Sequence, residues 1–229
     1  MHKIYRFKNV KSTNDTARRI GKEFSVICSE RQAAARGRFS RRWSSGKGGL
    51  WFSVFLRPKK LDNIHYLTFA AAVACQIAVK RSAGICAKVK WPNDLVYRGK
   101  KIAGILTESG IDKGYAIIGI GINTNNRLPR CLSKKAASLK EIKAAKVNNS
   151  LILDSFLKEF KKLYNNYEKG KLERILESWK KVSDTLGKEV EVSSLGKQIS
   201  GKAIGVDKRL RLLIKQGGKA IKVTEGDIS

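Results

Sequence analysis

Residues 65–83, HYLTFAAAVACQIAVKRSA, carry no acidic group and no formal charge before Lys80. A helix of this length and apolar content has no face to offer water, so other elements must wrap it. It does not suit a membrane either. Its most apolar part, Leu67 to Val79, is interrupted by Thr68 and Gln76 and falls short of the ~20 residues a span requires. The chain must therefore build a water-soluble core around a buried helix. At 229 residues and 42% hydrophobic content it can form one medium domain with a small appendage.

The surrounding pattern supplies strands for that core. Lys3 to Phe7, Ser25 to Glu30, Leu50 to Leu56 and Tyr115 to Ile122 read as strands, and Thr13 to Lys22 as a helix. Val89 to Asp94 ends a strand at a turn, because Pro92 cannot donate a ladder bond and Asn93-Asp94 favours turning. Val96-Tyr97 and Ile102 to Glu108 form a hairpin around Arg98-Gly99-Lys100. Apolar residues at 153, 156, 157, 160, 163, 164 and 167 predict a helix over 151–167, and a second covers Leu172 to Val182. After Leu186-Gly187 four short strands follow: Glu189 to Val192, Gln198 to Val206, Leu210 to Ile214 and Ala220 to Thr224. This is an α+β domain over 1–185 with a small barrel over 186–229.

Charge and cysteines narrow the function classes less. The formal net charge of +29 attracts polyanions, yet the lysines are spread along the whole chain, which is a solvated surface rather than a nucleic-acid footprint. Cys28, Cys75, Cys86 and Cys131 form no CxxC pair and the two histidines lie far apart, so a zinc site is excluded and reduced thiols are expected. The N-terminus MHKIYRFKNV has no secretory apolar region, and a cytoplasmic protein is expected.

One stretch calls for chemistry. Between Arg31 and Arg42 lie five arginines, followed by Trp43 and a glycine-rich run into the strand at Leu50. A solvated loop, an RNA-binding arginine-glycine segment and an anion-binding lid over a phosphorylated ligand are all open readings; a Walker loop is excluded for lack of GxxxxGK[ST]. Alone, the loop cannot choose between them. Elsewhere Ser12-Thr13-Asn14 reads most simply as a helix N-cap. Lys90-Trp91-Pro92-Asn93-Asp94 puts a lysine on a buried strand end, and Gly119-Ile120-Gly121-Ile122-Asn123 could be close strand packing.

In this order and spacing the four segments resemble the catalytic domain of biotin protein ligases, most specifically in Lys90 to Asp94 followed by Lys101-Ile102-Ala103-Gly104-Ile105-Leu106. The resemblance implies a mixed sheet related to class II aminoacyl-tRNA synthetases, with an SH3-like C-terminal barrel. It implies that biotin is activated by ATP with Mg²⁺ to biotinyl-5'-AMP and transferred to a lysine of a biotin carboxyl carrier domain. It also implies a homodimer without membrane attachment. Ser12, Thr13, Asn14 and Gln32 would read the ureido ring. Arg36, Gly37, Arg38, Lys90 and Gly104 would complete the biotin site. Arg36, Arg38, Arg41, Trp43, Lys90, Asn93, Lys101 and Asn123 would hold the nucleotide, and Asp94 the metal. Lys90 and Arg38 are the expected catalytic cations.

The chain departs from the pattern where Ala35 and Ser40 replace glycines, which should stiffen the loop, and where Asp227 replaces a glutamate. A lipoate-ligase-like acyl-adenylate transferase and a basic nucleic-acid-binding protein are the rival readings. Operator binding is not expected, since eleven residues precede Ser12.

Overall fold

The computed structural model describes residues 3–194 and 196–228. Seven strands form the main sheet: β1 (Lys3–Val10), β2 (Ser25–Gln32), β3 (Leu50–Leu56), β4 (Lys88–Lys90), β5 (Asp94–Tyr97), β6 (Lys100–Gly110) and β7 (Tyr115–Ile122). Their order is β1-β2-β3-β7-β6-β5-β4; β1 and β2 are parallel and the other pairs antiparallel. The β5–β6 turn is two residues, Arg98 and Gly99, both with positive φ (48° and 77°), the conformation that matches strand twist in a tight hairpin.

The two faces of this sheet carry different chemistry. Leu50, Phe52, Val54 and Leu56 of β3, with Ala116, Ile118, Ile120 and Ile122 of β7, belong to the main core. That core also holds α2 (His65–Ala83), α4 (Asn149–Glu168) and α5 (Leu172–Val182). Every residue of α2 from Phe69 to Gln76 is buried, as its composition requires. The opposite face takes α1 (Thr13–Ile20), whose Ala17 packs in a small cluster with Ile27, Phe55 and Ile117. Beyond that cluster this face carries Ser53 on β3 and glycines at 119, 121 and 104, over which Trp43 and Asn14 approach the sheet closely.

Two elements exceed the sequence reading. The short helix α3 (Leu139–Lys143) starts at a capping box, with Ser138 Oγ accepting from Glu141 N and Glu141 accepting from Ser138 N. The C-terminal sheet has five strands, in the order β11-β10-β9-β8-β12: β8 (Glu189–Ser194), β9 (Lys197–Val206), β10 (Leu212–Gln216), β11 (Lys219–Val223) and β12 (Asp227–Ile228). Strand β10 begins after Leu210 because that residue sits at φ 61° in a turn. The two sheets are joined through Trp91, whose Nε1 donates to Leu210 O (3.1 Å) and whose N donates to Thr185 Oγ1 (2.9 Å). Tyr66 adds a third link, donating to Lys208 O.

Candidate functional site

A cavity of about 280 Å³ lies on the glycine-bearing face. The three glycines make the room. A Cβ on Gly121 would stand 2.6 Å from Trp43 Nε1, one on Gly104 3.1 Å from the Trp43 ring, and one on Gly119 2.3 Å from Asn14 Oδ1. Gly104 and Gly121 are register partners on β6 and β7, so Trp43 lies flat across two adjacent strands.

One end of the cavity is neutral and polar. Ser12, Thr13 and Asn14 line it, with Gln32 from β2. Ser12 is also the N-cap of α1, accepting from Asp15 N, so the capping and pocket readings hold together. Gln32 Oε1 accepts from Thr13 N (2.8 Å) and Thr13 Oγ1 (3.0 Å), while its Nε2 donates to Ser45. Behind them the buried Ser53 hydroxyl lies 2.7 Å from Thr13 Oγ1 and 2.6 Å from Asn14 Oδ1. Asn14 Oδ1 can only accept, so the Ser53 proton goes there and Asn14 Nδ2 is left without a protein partner.

The other end, toward β6 and β5, is cationic. Lys101, Arg38 and Arg41 line it, together with Asp94, Asn93, Asn123 and Asp227. Lys101 Nζ is 2.7 Å from Asp94 Oδ1 and 5.1 Å from the Trp43 ring centre. Asn93 Nδ2 donates to Ile105 O, and Asn123 Oδ1 accepts from Asn126, which fixes both amides. Burial pushes Arg38 below the ordinary arginine value while Asp227, Asp94 and Glu225 pull it back; a guanidinium stays charged at neutral pH in either case.

Lys90 lies at the rim of the site. It is half-buried on β4, the edge strand, and is not among the cavity-lining residues. It pairs in register with Asp94, a cavity residue, so it shares the cavity's face of the sheet. Arg36 borders the cavity, and its guanidinium is bonded to Asp15 (2.6 and 2.9 Å) and Glu108 (3.0 Å).

The arginine loop is a small hairpin. An Arg36–Arg42 bridge, Gly37 N to Arg41 O (2.7 Å) and Trp43 N to Ala35 O (2.9 Å) close it. Its tip leans on the C-terminal sheet, where Arg41 pairs with Asp227 (2.5 Å) and Arg38 donates to Gly226 O (3.1 Å). Ser40, one of the two glycine replacements, stands at φ 56° beside Phe39, also at 56°; Ala35 is buried and has no such strain. Leu128, Leu132, Lys135 and Ala136 close the cavity from the segment after β7, which includes a 3-10 turn at Arg130–Leu132. No periodicity marks them in the sequence. Among the described residues no cluster of three or more His, Cys, Asp or Glu could cage a metal.

Comparison with known proteins agrees with this geometry. Residues 7–125 match the biotin/lipoate A/B protein ligase family, and residues 185–229 the biotin protein ligase C terminal domain. The chain is 34% identical to the bifunctional ligase/repressor BirA of Bacillus subtilis over 95% of its own length and 70% of the relative's. It is 28% identical to the biotin--[acetyl-CoA-carboxylase] ligase of Mycobacterium tuberculosis, over 89% and 77%. A biotin protein ligase from Aquifex aeolicus, solved with biotin and ATP, superposes with TM-score 0.90 at 28% identity, over 99% of this chain and 97% of that one.

Proposed function

The chain belongs to the biotin/lipoate A/B protein ligase family and, with its C-terminal domain, to the biotin protein ligases within it; from that premise we propose that it is an ATP-dependent ligase that activates biotin to biotinyl-5'-AMP and passes it to a lysine of a biotin carboxyl carrier domain. The observation that carries the reading is one cavity with a neutral hydrogen-bonding end and a cationic end, separated by the width of two or three strands.

The chemistry needs both ends. A carboxylate oxygen attacks the α-phosphorus, and pyrophosphate leaves with the P–O electrons. The reactants are both anions, so fixed cations at the point of attack lower the barrier. Lys90 and Arg38 would supply these charges, with Lys101, paired to Asp94 near the Trp43 ring, beside them. Arg38 and Arg41 can leave Gly226 and Asp227 for phosphate oxygens, exchanging one anionic or carbonyl partner for another. In the second half an acceptor amine attacks the acyl carbon, and AMP departs.

At the neutral end, Thr13, Gln32 and the unpartnered Asn14 amide offer donors and acceptors to a ureido ring, and an analogue lacking them would leave buried groups unpaired at ~1–3 kcal/mol each. A magnesium ion fits only as one carried by the phosphates: it typically takes one or two carboxylates plus phosphate oxygens, and of the cavity carboxylates Asp94 and Asp227 it is Asp94, beside Lys101, that would take that role. When bound it would shield the triphosphate charge. Incubation with labelled biotin, ATP, Mg²⁺ and a carrier domain tests the reading; covalent labelling of the carrier lysine is expected, and no label on the carrier would refute it.

A further inference from the structure

Arg36 sits at the stem of the arginine hairpin, opposite Arg42 in its closing bridge. Its guanidinium makes four hydrogen bonds, two to Asp15 of α1 and two to Glu108 of β6, the fourth at 3.4 Å. The same two carboxylates also bind Arg18, which donates to Asp15 (2.9 Å) and Glu108 (2.8 Å) and to Tyr115 of β7 (3.2 Å). Two positive and two negative groups thus form a closed, locally neutral network over three elements. An isolated surface pair contributes little, but bidentate arginine–carboxylate geometry within a network is the exception. The Arg36 bond holds the Asp15 carboxyl below its ordinary range, in line with that geometry.

The geometry assigns Asp15 and Glu108 as positioning residues that act through Arg36 to hold the stem of the hairpin, and with it Trp43, in place before any ligand arrives. Two further observations point the same way. Asp15 follows directly on Asn14, so the residues lining the neutral end and the stem anchor share one turn of α1. The tip, by contrast, rests on Arg41–Asp227, a pair exposed at 62% and 44%, and on one carbonyl bond. The hairpin therefore has a fixed stem and a releasable tip, and Arg38 and Arg41 move while Arg36 does not. This rests on the ligase reading only where it concerns retention of an activated intermediate.

The test uses the whole chain. Amide exchange at Gly37 and Trp43, the two cross-hairpin donors, is measured without ligand in Asp15→Asn, Glu108→Gln and the double variant. About tenfold faster exchange at both amides is expected in each single variant, with Ile118 and Phe52 of the core unchanged and protection restored in Asp15→Glu. In the double variant, biotinyl-AMP should escape several times faster while the maximal rate of biotin-dependent ATP–pyrophosphate exchange changes by less than about threefold. Unchanged protection at Gly37 and Trp43 in the double variant, or equal loss at Ile118 and Phe52, overturns the assignment. If no acid supports ATP–pyrophosphate exchange even in the unaltered chain, the ligase reading fails while the amide measurement still decides the anchor.

Discussion

Two lysines eleven residues apart meet at Asp94: Lys90 pairs with it in register and Lys101 bridges to it. Lys90→Ala should cut adenylate formation by ~10²–10³, the effect of removing one preorganised charge, with the fold intact. Single-turnover pyrophosphate release checks this, and near-normal release by the variant would refute the role. Ser53→Ala makes a second residue-scale case. It removes the hydroxyl that orients Thr13 and Asn14, and KM for biotin should rise ~10-fold with kcat little changed. The sequence identifies Ser12, Thr13, Asn14 and Gln32 by type and order. It is silent on Ser53, one serine in an apolar strand, because only the register of β3 beside α1 and β7 gives it partners. It is equally silent on Asp15 and Glu108, which meet across ninety residues of chain.

At the scale of elements, strands and helices follow from periodicity because each has one face to bury, and β3 and β7 keep strict alternation between core and cavity faces. The hairpin follows no such rule. Five arginines suggest mutual repulsion and a disordered loop, but here Arg36 is paired with Asp15 and Glu108 and Arg41 with Asp227, carboxylates that chain distance conceals. Trypsin should therefore cut near the tip, at Arg38 and Arg41, in the free protein, and biotin with ATP should protect those bonds strongly while ADP does so weakly. Equal protection by either nucleotide would mean the tip does not close on an adenylate. Acid should release the tip as well. Arg41 holds Asp227 below its ordinary value of 3.8, so docking is stabilised above that value and lost as pH falls through the lowered one. Titrating the Arg41 Nε and Gly226 resonances should show a docked tip at pH 5 and release only once the pH has fallen below 3.8; docking that does not change with acid, or is lost above 3.8, would contradict this.

For the whole molecule, the C-terminal sheet is part of the site's construction. Trp91, inside the most specific motif, is buried under Leu210 and Thr185, and Asp227 comes from the last described strand. The small barrel was legible as a change of pattern after Gly187; its contribution to the cavity was not, since Asp227 lies more than ninety residues along the chain from every other lining group. The net charge of +29 also acts at this scale, drawing in a polyanionic nucleotide, so capture of ATP should weaken as salt rises. The central claim is that a neutral ureido-reading end and a cationic phosphate end serve one acyl-adenylate reaction. The most direct measurement is ATP–pyrophosphate exchange by the unaltered protein with biotin or with lipoate as the only acid. Exchange driven by biotin at least ~100-fold better than by lipoate is the predicted result, as two or more unpaired buried groups would dictate. Exchange driven equally by lipoate, or by neither acid, would contradict it.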